Sequence, residues 1–437
     1  MSWMETYRQK TVSAAEAVRL IESGNKIYVH PGCAAPEVLV DAMVDRAGEL
    51  SGCEVLHILT MGKALYARPD MSAHFRHTAL FIGKNTRDAV NEGRADFVPV
   101  FLSEIPKLFA SGEIKIDVAL IHVSPPDEHG FCSFGVGVET TKGATEVARI
   151  VIAQVNPQMP RTLGDSFIHV SKIHKVVEVD VPILELAQVE PDASPEELET
   201  YAKIGSNIAD LIDDGSTLQL GIGKIPDAVL ASLEGKKDLG VHSEMFSDGV
   251  IRLVENGIIT NEKKSLHPGK MVASFVLGTR KLFDFIHNNP IAEFHPSNYV
   301  NDPFIISQNR KMVAINSALQ VDLTGQVCAD SFGYSFYSGF GGQVDFMRGS
   351  ARSEGGKPIV ALPSTAKEGT VSRIAVHLAE GAGVTTSRGD VHFVATEYGV
   401  ANLHGRKIGE RVKALISIAH PKFREELTSF ARKRCWI

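Results

Sequence analysis

The chain has 437 residues, which is more than a single hydrophobic core commonly organises, so we expect two domains. Hydrophobic residues make up 44% and charged residues 22% of the sequence, as in a globular protein, and no apolar run is long enough to span a bilayer. The net charge is −7 and no block of basic residues occurs, so we expect neither nucleic acid nor a membrane as a partner.

The cysteines and the N-terminus indicate a reduced, cytoplasmic setting. No CxxC pair occurs, which argues against a zinc ribbon and a disulfide framework; the widely spaced cysteines are Cys33, Cys53, Cys132, Cys328 and Cys435. The first residues include Glu5 and no apolar stretch typical of a secretory signal. His57, His122 and His129 show no spacing typical of metal ligands, so we expect no metal site.

Short β-branched runs that predict strands alternate with helical stretches along the chain. The predicted strands are KIYVH (26–30), VALIHV (118–123), RIVIAQV (149–155), PIVAL (358–362) and HFVATE (392–397). The predicted helices include SAAEAVRLIES (13–23) and EELETYAKIGSNIADLIDD (196–214). This alternation predicts α/β domains with mostly parallel sheets covered by helices.

The two halves of the sequence resemble each other in three separated segments. Residues 19–40 match 210–231, with Gly24 and Gly32 corresponding to Gly215 and Gly223. Residues 79–85 match 274–280, and residues 117–130 match 312–325. A repeat of this length indicates a duplicated domain, although generic strand–glycine–helix units could also look alike. We place the boundary near 189–199, where two prolines and a Ser-Pro-Glu-Glu helix start occur.

Three glycine-rich loops follow predicted strands and could bind a phosphate or a negatively charged oxygen. They are HPGCAAPE (30–37), QLGIGKIPD (219–227) and SGFGGQVDF (338–346). Glycine allows a ligand to approach the backbone, and a helix that starts after the loop presents free N–H groups. Any one loop could instead be a strand-to-helix turn that needs glycine for geometry alone. No Walker A sequence and no complete GxGxxG occurs in them.

The segment LGVHSEMFSDGV (239–250) places Glu244 at the end of a predicted strand, beside Met245 and Phe246. A carboxylate among apolar neighbours is partly desolvated and becomes a better nucleophile or base. The alternative is an exposed or salt-bridged glutamate. Ser243 precedes it without a GxSxG nucleophile elbow, so we do not expect Ser243 to be a nucleophile. Cys33 lies in the first loop, where a role as a small residue is expected.

Together these stretches identify the chain as similar to the acetyl-CoA hydrolase/transferase family, a branch of the class I CoA-transferases. HPGCAAPEVL, VNPQMPRTLGDSFIHVSKI (155–173), LGIGKIPDAV, LGVHSEMFSDGV, SGFGGQVDFMRG and PSTAKEGTVSRI (363–374) carry the resemblance across nearly the whole chain. It implies two tandem, duplicated open α/β domains of the CoA-transferase type, residues 1–190 and 191–437, with the catalytic glutamate in the second.

The resemblance also implies roles for individual residues. Glu244 matches the glutamate that forms an acyl anhydride and then a glutamyl-CoA thioester. The residues that match the CoA-binding positions are Gln219, Leu220, Gly221, Ile222, Gly223, Leu319, Gly342 and Lys367. Gly341, Gly342 and Gln343 match the loop that supplies an oxyanion N–H. Asn316 and His30 are expected to position the glutamate or the acyl carboxylate.

The function implied by the resemblance is CoA transfer between short-chain acids of the 4-hydroxybutyrate, butyrate or acetate class. Coenzyme A and acyl-CoA are then substrates, no prosthetic group is needed, and a homodimer is expected. One alternative is an acyl-CoA hydrolase that uses the same glutamate with water as the final acceptor. A noncatalytic acyl-CoA sensor on the same fold is a second alternative, which the glutamate beside three glycine loops disfavours.

Overall fold

The structure is a computed structural model that describes residues 2–186 and 194–437. It divides into two compact units, Met1–Gln188 with Val272–Val300, and Val189–Met271 with Asn301–Ile437. The predicted boundary between residues 190 and 191 lies outside the described residues. No helix in the described part of the chain is both long and apolar enough to cross a membrane.

The α-helices are short and lie between strands for most of the chain. They are α1 (Trp3–Lys10), α2 (Ala14–Ala17), α3 (Glu37–Asp45), α4 (Arg87–Asn91), α5 (Ile105–Ala110), α6 (Thr141–Val147), α7 (Pro195–Ala209), α8 (Lys224–Ala231), α9 (Gly249–Glu255), α10 (Arg280–Ile286), α11 (Ser297–Val300), α12 (Pro303–Ser307), α13 (Gln343–Arg352), α14 (Ile408–Ile418) and α15 (Pro421–Lys433).

The strands include every run predicted from the sequence. They are β1 (Lys26–Val29), β2 (Cys53–His57), β3 (Phe75–Ala79), β4 (Asp96–Phe97), β5 (Val118–Val123), β6 (Phe131–Ser133), β7 (Ile150–Val155), β8 (Leu163–Gly164), β9 (Phe167–His169), β10 (Lys175–Glu178), β11 (Thr217–Leu220), β12 (Gly240–Val241), β13 (Met245–Phe246), β14 (Met271–Ala273), β15 (Phe275–Val276), β16 (Ala292–Phe294), β17 (Met312–Ser317), β18 (Gln320–Asp322), β19 (Val327–Cys328), β20 (Ser331–Phe332), β21 (Ser335–Phe336), β22 (Lys357–Ala361), β23 (Thr365–Ala366), β24 (Val371–Ser372), β25 (Ile374–Ala375), β26 (Phe393–Thr396) and β27 (Gly399–Asn402).

The first unit is built on a parallel sheet with strand order β10-β7-β5-β1-β2-β3-β4. Side chains alternate between its two faces. Ile27 and Val29 of β1 pack with Leu39 of α3, whereas the ring of Tyr28 meets that of Phe109 of α5 edge to face. Helices therefore cover both faces, which explains why the strands read as continuous apolar runs.

The second unit repeats this arrangement, with strand order β12-β11-β17-β22-β26-β27. The pairs from β12 to β26 are parallel and only the edge pair β26–β27 is antiparallel. The two sheets share the order of five strands. From β12 to β26 the second sheet runs β12-β11-β17-β22-β26, and the corresponding strands of the first sheet are β2-β1-β5-β7-β10. The predicted duplication and fold class are therefore confirmed. The predicted helix start is also observed, since Ser194 caps α7 in a reciprocal capping box with Glu197.

Matching glycines explain how the repeat could be recognised. Gly24 and Gly215, which precede β1 and β11, have φ of +80° and +73°. Gly130 and Gly325 have φ of +85° and +94°. Residues other than glycine are strained at positive φ. Both copies of each turn therefore favour glycine at the same position.

The match between residues 79–85 and 274–280 does not correspond to equivalent positions in the two sheets. Residues 79–85 follow β3 of the first sheet, whereas residues 272–300 belong to the first unit and contribute no strand to the second sheet. In this segment β16 pairs in parallel with β8, and Leu186 donates its N–H to the carbonyl of Gly278. Residues 79–85 and 274–280 share a local strand–glycine pattern, but the strands in the two segments pair with different partners.

A buried pair of histidines in the first unit predicts that its stability depends on pH. The rings of His57 and His77 stack with centroids 4.2 Å apart, and the hydroxyl of Tyr66 lies 2.6 Å from Nε2 of His57. Nδ1 of His77 donates to the carbonyl of Val55, which leaves Nε2 of His77 buried without a partner among the described residues. Burial lowers the pKa of His57 to about 4, and burial followed by the proximity of His57 lowers the pKa of His77.

Because the folded pKa values lie below that of a free histidine, both residues stabilise the fold above about pH 6.5 and this contribution is lost as the pH falls towards 4. We expect His57 to lower the free energy of unfolding by about 2 kcal/mol between pH 7 and pH 5, and His77 to act in the same direction. H77F keeps a ring without an ionisable nitrogen and should reduce this pH dependence in urea unfolding. H129N, a control at an exposed position, should leave the pH dependence of unfolding unchanged. An equal pH dependence in H77F and wild type would contradict the interpretation.

Candidate active site

The second predicted glycine loop forms the turn between β11 and α8. Strand β11 ends at Leu220, and α8 begins at Lys224 after the loop residues Gly221, Ile222 and Gly223. Gly223 has φ of +106° and precedes the helix without a side-chain cap, so the N–H groups of the first turn remain available for other acceptors. This is a suitable place for a phosphate or another anion.

Asn316 and Gln219 lie on adjacent strands of the same sheet. The side-chain amide of Asn316 donates to Oε1 of the buried Gln219 at 3.0 Å. Asn316 is near the carboxyl end of β17, which is also the end of β11 where the glycine loop begins. Leu319 follows β17 and is partly buried, with its N–H donated to the carbonyl of Cys328. The predicted CoA-binding residues of these strands therefore share one edge of the sheet.

Glu244 lies between β12 and β13, next to the buried side chains of Met245 and Phe246. The residue keeps some accessible surface, but its carboxylate is enclosed by protein and receives two hydrogen bonds. The side-chain amide of Asn301 donates to Oε2 of Glu244 at 2.9 Å, and the backbone N–H of Gly342 also donates to the carboxylate. Burial raises the pKa of Glu244 to about 7, although both hydrogen bonds act in the opposite direction.

The third glycine loop reaches this carboxylate because it lacks side chains. A Cβ atom at Gly342 would lie 2.0 Å from Oε2 of Glu244 and 2.1 Å from the side-chain nitrogen of Asn301. Gly341 has φ of +53°, and α13 begins at Gln343 directly after Gly342. The positive end of the helix dipole and the N–H of Gly342 thus lie beside Glu244, where they favour negative charge. The side-chain nitrogen of Gln343 is buried without a partner among the described residues.

Lys367 lies at a cavity elsewhere in the second unit. The cavity has a volume of about 630 Å³ and is lined by the start of α7 and by residues 363–373, including Lys367 and Arg373. Lys367 and Glu368, at the tip of the β23–β24 hairpin, both have positive φ. The lining is mixed in charge, since Glu196, Glu197 and Glu368 accompany the two cations. The size of the cavity suits part of a large ligand, and Lys367 and Arg373 are the side chains in it that could pair with a phosphate.

His30 belongs to the first unit, and both of its ring nitrogens have partners there. Nε2 lies 2.7 Å from the carbonyl of Gly137, and the backbone N–H of His122 donates to Nδ1. Burial lowers the pKa of His30 to about 4, so the ring is neutral at pH 7. Neither nitrogen is left for a substrate in this arrangement, and a positioning role for His30 stays a prediction from the resemblance.

Sequence reasoning missed Asn301, the residue that bonds the carboxylate through its side chain. Asn301 is fully buried, and in the chain it follows α11 and precedes α12, outside any glycine loop or predicted strand end. Its side-chain oxygen has no partner among the described residues. No local signal marks this residue, because its proximity to Glu244 arises from packing of segments far apart in the chain.

The raised pKa of Glu244 predicts the pH dependence of any reaction in which its carboxylate is the nucleophile. The acid limb of kcat/KM should lie near pH 7 and fall about tenfold per pH unit below it, because the protonated acid is not nucleophilic. N301A removes a hydrogen bond that lowers this pKa, so its acid limb should lie at higher pH. Rate profiles from pH 5 to 9 test this. A limb near pH 4.5 in the wild type would show that the carboxylate is not shielded.

Comparisons with known proteins show the family of the chain. The N-terminal domain model of the acetyl-CoA hydrolase/transferase family matches residues 1–185, and its C-terminal domain model matches residues 278–431. The 4-hydroxybutyrate coenzyme A transferase of Clostridium kluyveri is 54% identical, covering 99% of this chain and 100% of that protein. The succinyl-CoA:acetate/propanoyl-CoA:succinate CoA transferase of Fasciola hepatica is 48% identical, covering 96% of this chain and 87% of that protein.

A solved structure extends the comparison to the fold. The crystal structure of 4-hydroxybutyrate CoA-transferase from Porphyromonas gingivalis has a TM-score of 0.86 and 43% identity, covering 99% of this chain and 100% of that one. The two α/β units with parallel sheets therefore have the fold of a CoA-transferase. The chain belongs to the acetyl-CoA hydrolase/transferase family.

Proposed function

We propose that this protein is an acyl-CoA:carboxylate CoA-transferase that acts on short-chain acids of the 4-hydroxybutyrate, butyrate or acetate class. The observation that carries the proposal is the sheltered carboxylate of Glu244, which is hydrogen-bonded through Asn301 and Gly342 at the N-terminus of α13. Family membership and the names of the similar transferases support the reaction class.

Glu244 acts as a covalent nucleophile in the proposed mechanism. Its carboxylate attacks the carbonyl carbon of the acyl-CoA and expels the CoA thiolate, which leaves a mixed anhydride. The thiolate then attacks the glutamyl carbonyl, the first acid leaves as a carboxylate, and a glutamyl-CoA thioester remains. The acceptor acid reverses these steps and departs as its CoA ester, so the kinetics are ping-pong. Each bond is exchanged for one of similar energy, so the steps balance without ATP.

The two hydrogen bonds that the carboxylate of Glu244 receives suit the steps that take place at the glutamyl carbonyl. When the thiolate attacks this carbon, negative charge develops on Oε2, which accepts from the side-chain amide of Asn301, and the N–H of Gly342 donates to the same carboxylate. One donor of this kind typically contributes about 3–4 kcal/mol to transition-state stabilisation. In the proposed mechanism Oε1 attacks the substrate, so that Oε2, with its donor from Asn301, becomes the carbonyl oxygen of the glutamyl group. The amide of Gln343 is available to bind the acyl or acceptor carboxylate.

Coenzyme A would bind through the edge of the sheet and the cavity described above. We assign the pantetheine end to the loop Gln219–Gly223 with Leu319, and the phosphorylated end to Lys367. Binding energy from this remote part of the substrate can be used at the reacting carbonyl. Exclusion of water protects the anhydride from hydrolysis. By likeness to the family, we further propose a cytoplasmic homodimer.

Kinetics with and without an acceptor acid test the proposal. The enzyme is supplied with butyryl-CoA or 4-hydroxybutyryl-CoA together with isotopically labelled acetate, and acetyl-CoA formation is followed. Parallel lines in double-reciprocal plots and label in the new CoA ester are expected. Release of free CoA at the same rate without acetate would instead indicate a hydrolase. Absence of any turnover of acyl-CoA across this series of short-chain acids would contradict the proposal.

A further inference from the structure

The hydroxyl of Ser243 replaces backbone groups at the point where the chain leaves the sheet to place Glu244. Strand β12 follows the parallel ladder at first, since Gly240 donates its N–H to Ser216 and His242 donates to Leu218. If the parallel ladder continued regularly, two further hydrogen bonds would form. The N–H of Leu220 would donate to the carbonyl of His242, and the N–H of Glu244 would donate to the carbonyl of Leu220. Instead, the hydroxyl oxygen of Ser243 accepts from the N–H of Leu220 at 3.3 Å and lies 3.0 Å from its carbonyl.

The same hydroxyl also holds the residue that follows Glu244. Oγ of Ser243 lies 2.6 Å from the carbonyl of Met245, so its single hydrogen can be donated to either of two carbonyls. The bond to Met245 spans Glu244 and restrains the backbone on both sides of it. Ser243 is only 1% exposed, so water cannot take over these contacts if the hydroxyl is lost.

This hydroxyl therefore connects two parts of the proposed site. Leu220 is the last residue of β11 before the glycine loop, and Glu244 must stay within reach of Asn301 and Gly342. A shift of about 1 Å in a reacting group can lower a rate on the order of 100-fold. The hydroxyl of Ser243 accepts from the N–H of Leu220 and shares its one hydrogen between the carbonyls of Leu220 and Met245, which ties the backbone around Glu244 to the end of β11.

We propose that Ser243 is a positioning residue for the reaction, which fixes the carboxylate of Glu244 against Asn301 and Gly342 by substituting its hydroxyl for the missing rungs of the ladder. The inference rests on the proposed function, in which Glu244 is the nucleophile. Ser243 touches no reacting atom and acts through the backbone that it holds.

The test compares S243A with S216A, a matched control. Ser216 is also 1% exposed and precedes β11, but its hydroxyl has no partner among the described residues. We expect S243A to lower kcat and the single-turnover rate of CoA transfer to residue 244 by roughly 10- to 100-fold. The acid limb of its kcat/KM should move to higher pH, because Glu244 loses part of its hydrogen bonding. S216A should match the wild type in both measurements, and S243T, which keeps the hydroxyl, should restore the acid limb.

The outcomes separate this inference from the proposed function. If the wild type forms no covalent CoA adduct at residue 244, the proposed function is wrong, and the inference about Ser243 is then wrong as well because it rests on that function. If the wild type forms the adduct and folded S243A forms it within threefold of the same rate, with the same acid limb, only the role of Ser243 is overturned. Should S243A not fold, S243C, which keeps the volume but bonds weakly, carries the same expectations and the same contradicting result.

Discussion

Replacement of Glu244 by glutamine is expected to lower kcat/KM by at least about 10⁴-fold, because the amide cannot form the anhydride or the thioester. E244D keeps the charge but retracts the carboxylate from Asn301, and we expect a loss on the order of 10²- to 10³-fold. E255Q, a control at an exposed position at the end of α9, should retain wild-type rates. Steady-state kinetics with a short-chain acyl-CoA and acetate provide the measurement.

E244Q should also stabilise the folded protein at alkaline pH. The folded pKa of Glu244, about 7, lies above the value of a free glutamate, so the carboxylate destabilises the folded state increasingly as the pH rises from about 4.5 to 7. E244Q removes this penalty, which is on the order of 3 kcal/mol at pH 8 and absent near pH 4. Urea unfolding of E244Q and wild type at both pH values measures the difference. If E244Q were inactive and less stable than the wild type by the same free energy at both pH values, the conclusion that the carboxylate is buried would be contradicted.

The second large effect is expected from G342A, although the substitution adds only a methyl group. The new Cβ would lie 2.0 Å from Oε2 of Glu244, so the carboxylate or the loop must shift. The backbone at Gly342 has φ of −97°, which alanine adopts without strain, so the effect comes from the collision. We expect kcat/KM to fall by about 10²- to 10³-fold, since displacement of the nucleophile by about 1 Å removes its alignment.

G235A is the matched control for this prediction. Gly235 also belongs to the second unit, has no positive φ, and nothing lies within 4 Å of the position of an added Cβ. G235A should therefore leave kcat/KM and the acid limb unchanged. Wild-type kinetics in a G342A enzyme with normal thermal stability would show that the loop does not approach the carboxylate as closely as the structure places it.

The fold could be predicted from the sequence wherever local pattern and position agree. The β-branched runs that became β1, β5, β7, β22 and β26 are buried at nearly every residue, so their apolar composition follows from their burial. The glycines at 215 and 325 mark turns with positive φ, which no other residue type adopts as readily. Glu244 was marked by its apolar neighbours Met245 and Phe246.

What could not be predicted depends on contacts between distant parts of the chain. Residues 274–280 have the same local pattern as 79–85, but strand pairing in the first unit decides where their segment belongs. Asn301 contacts Glu244 across an interval of 57 residues and carries no local mark. Ser243 was recognisable only as an unsuitable nucleophile, because its use as a substitute for backbone groups depends on where β12 leaves the sheet.

The mass of the peptide that contains residue 244, after the enzyme has been mixed with acyl-CoA alone, tests the covalent role of this carboxylate most directly. A CoA adduct on residue 244 is predicted, and hydroxylamine or borohydride should convert it to the corresponding hydroxamate or alcohol. E255Q should give the same adduct and E244Q none. Rapid turnover of acyl-CoA by an enzyme in which residue 244 is never modified or trapped would contradict the account.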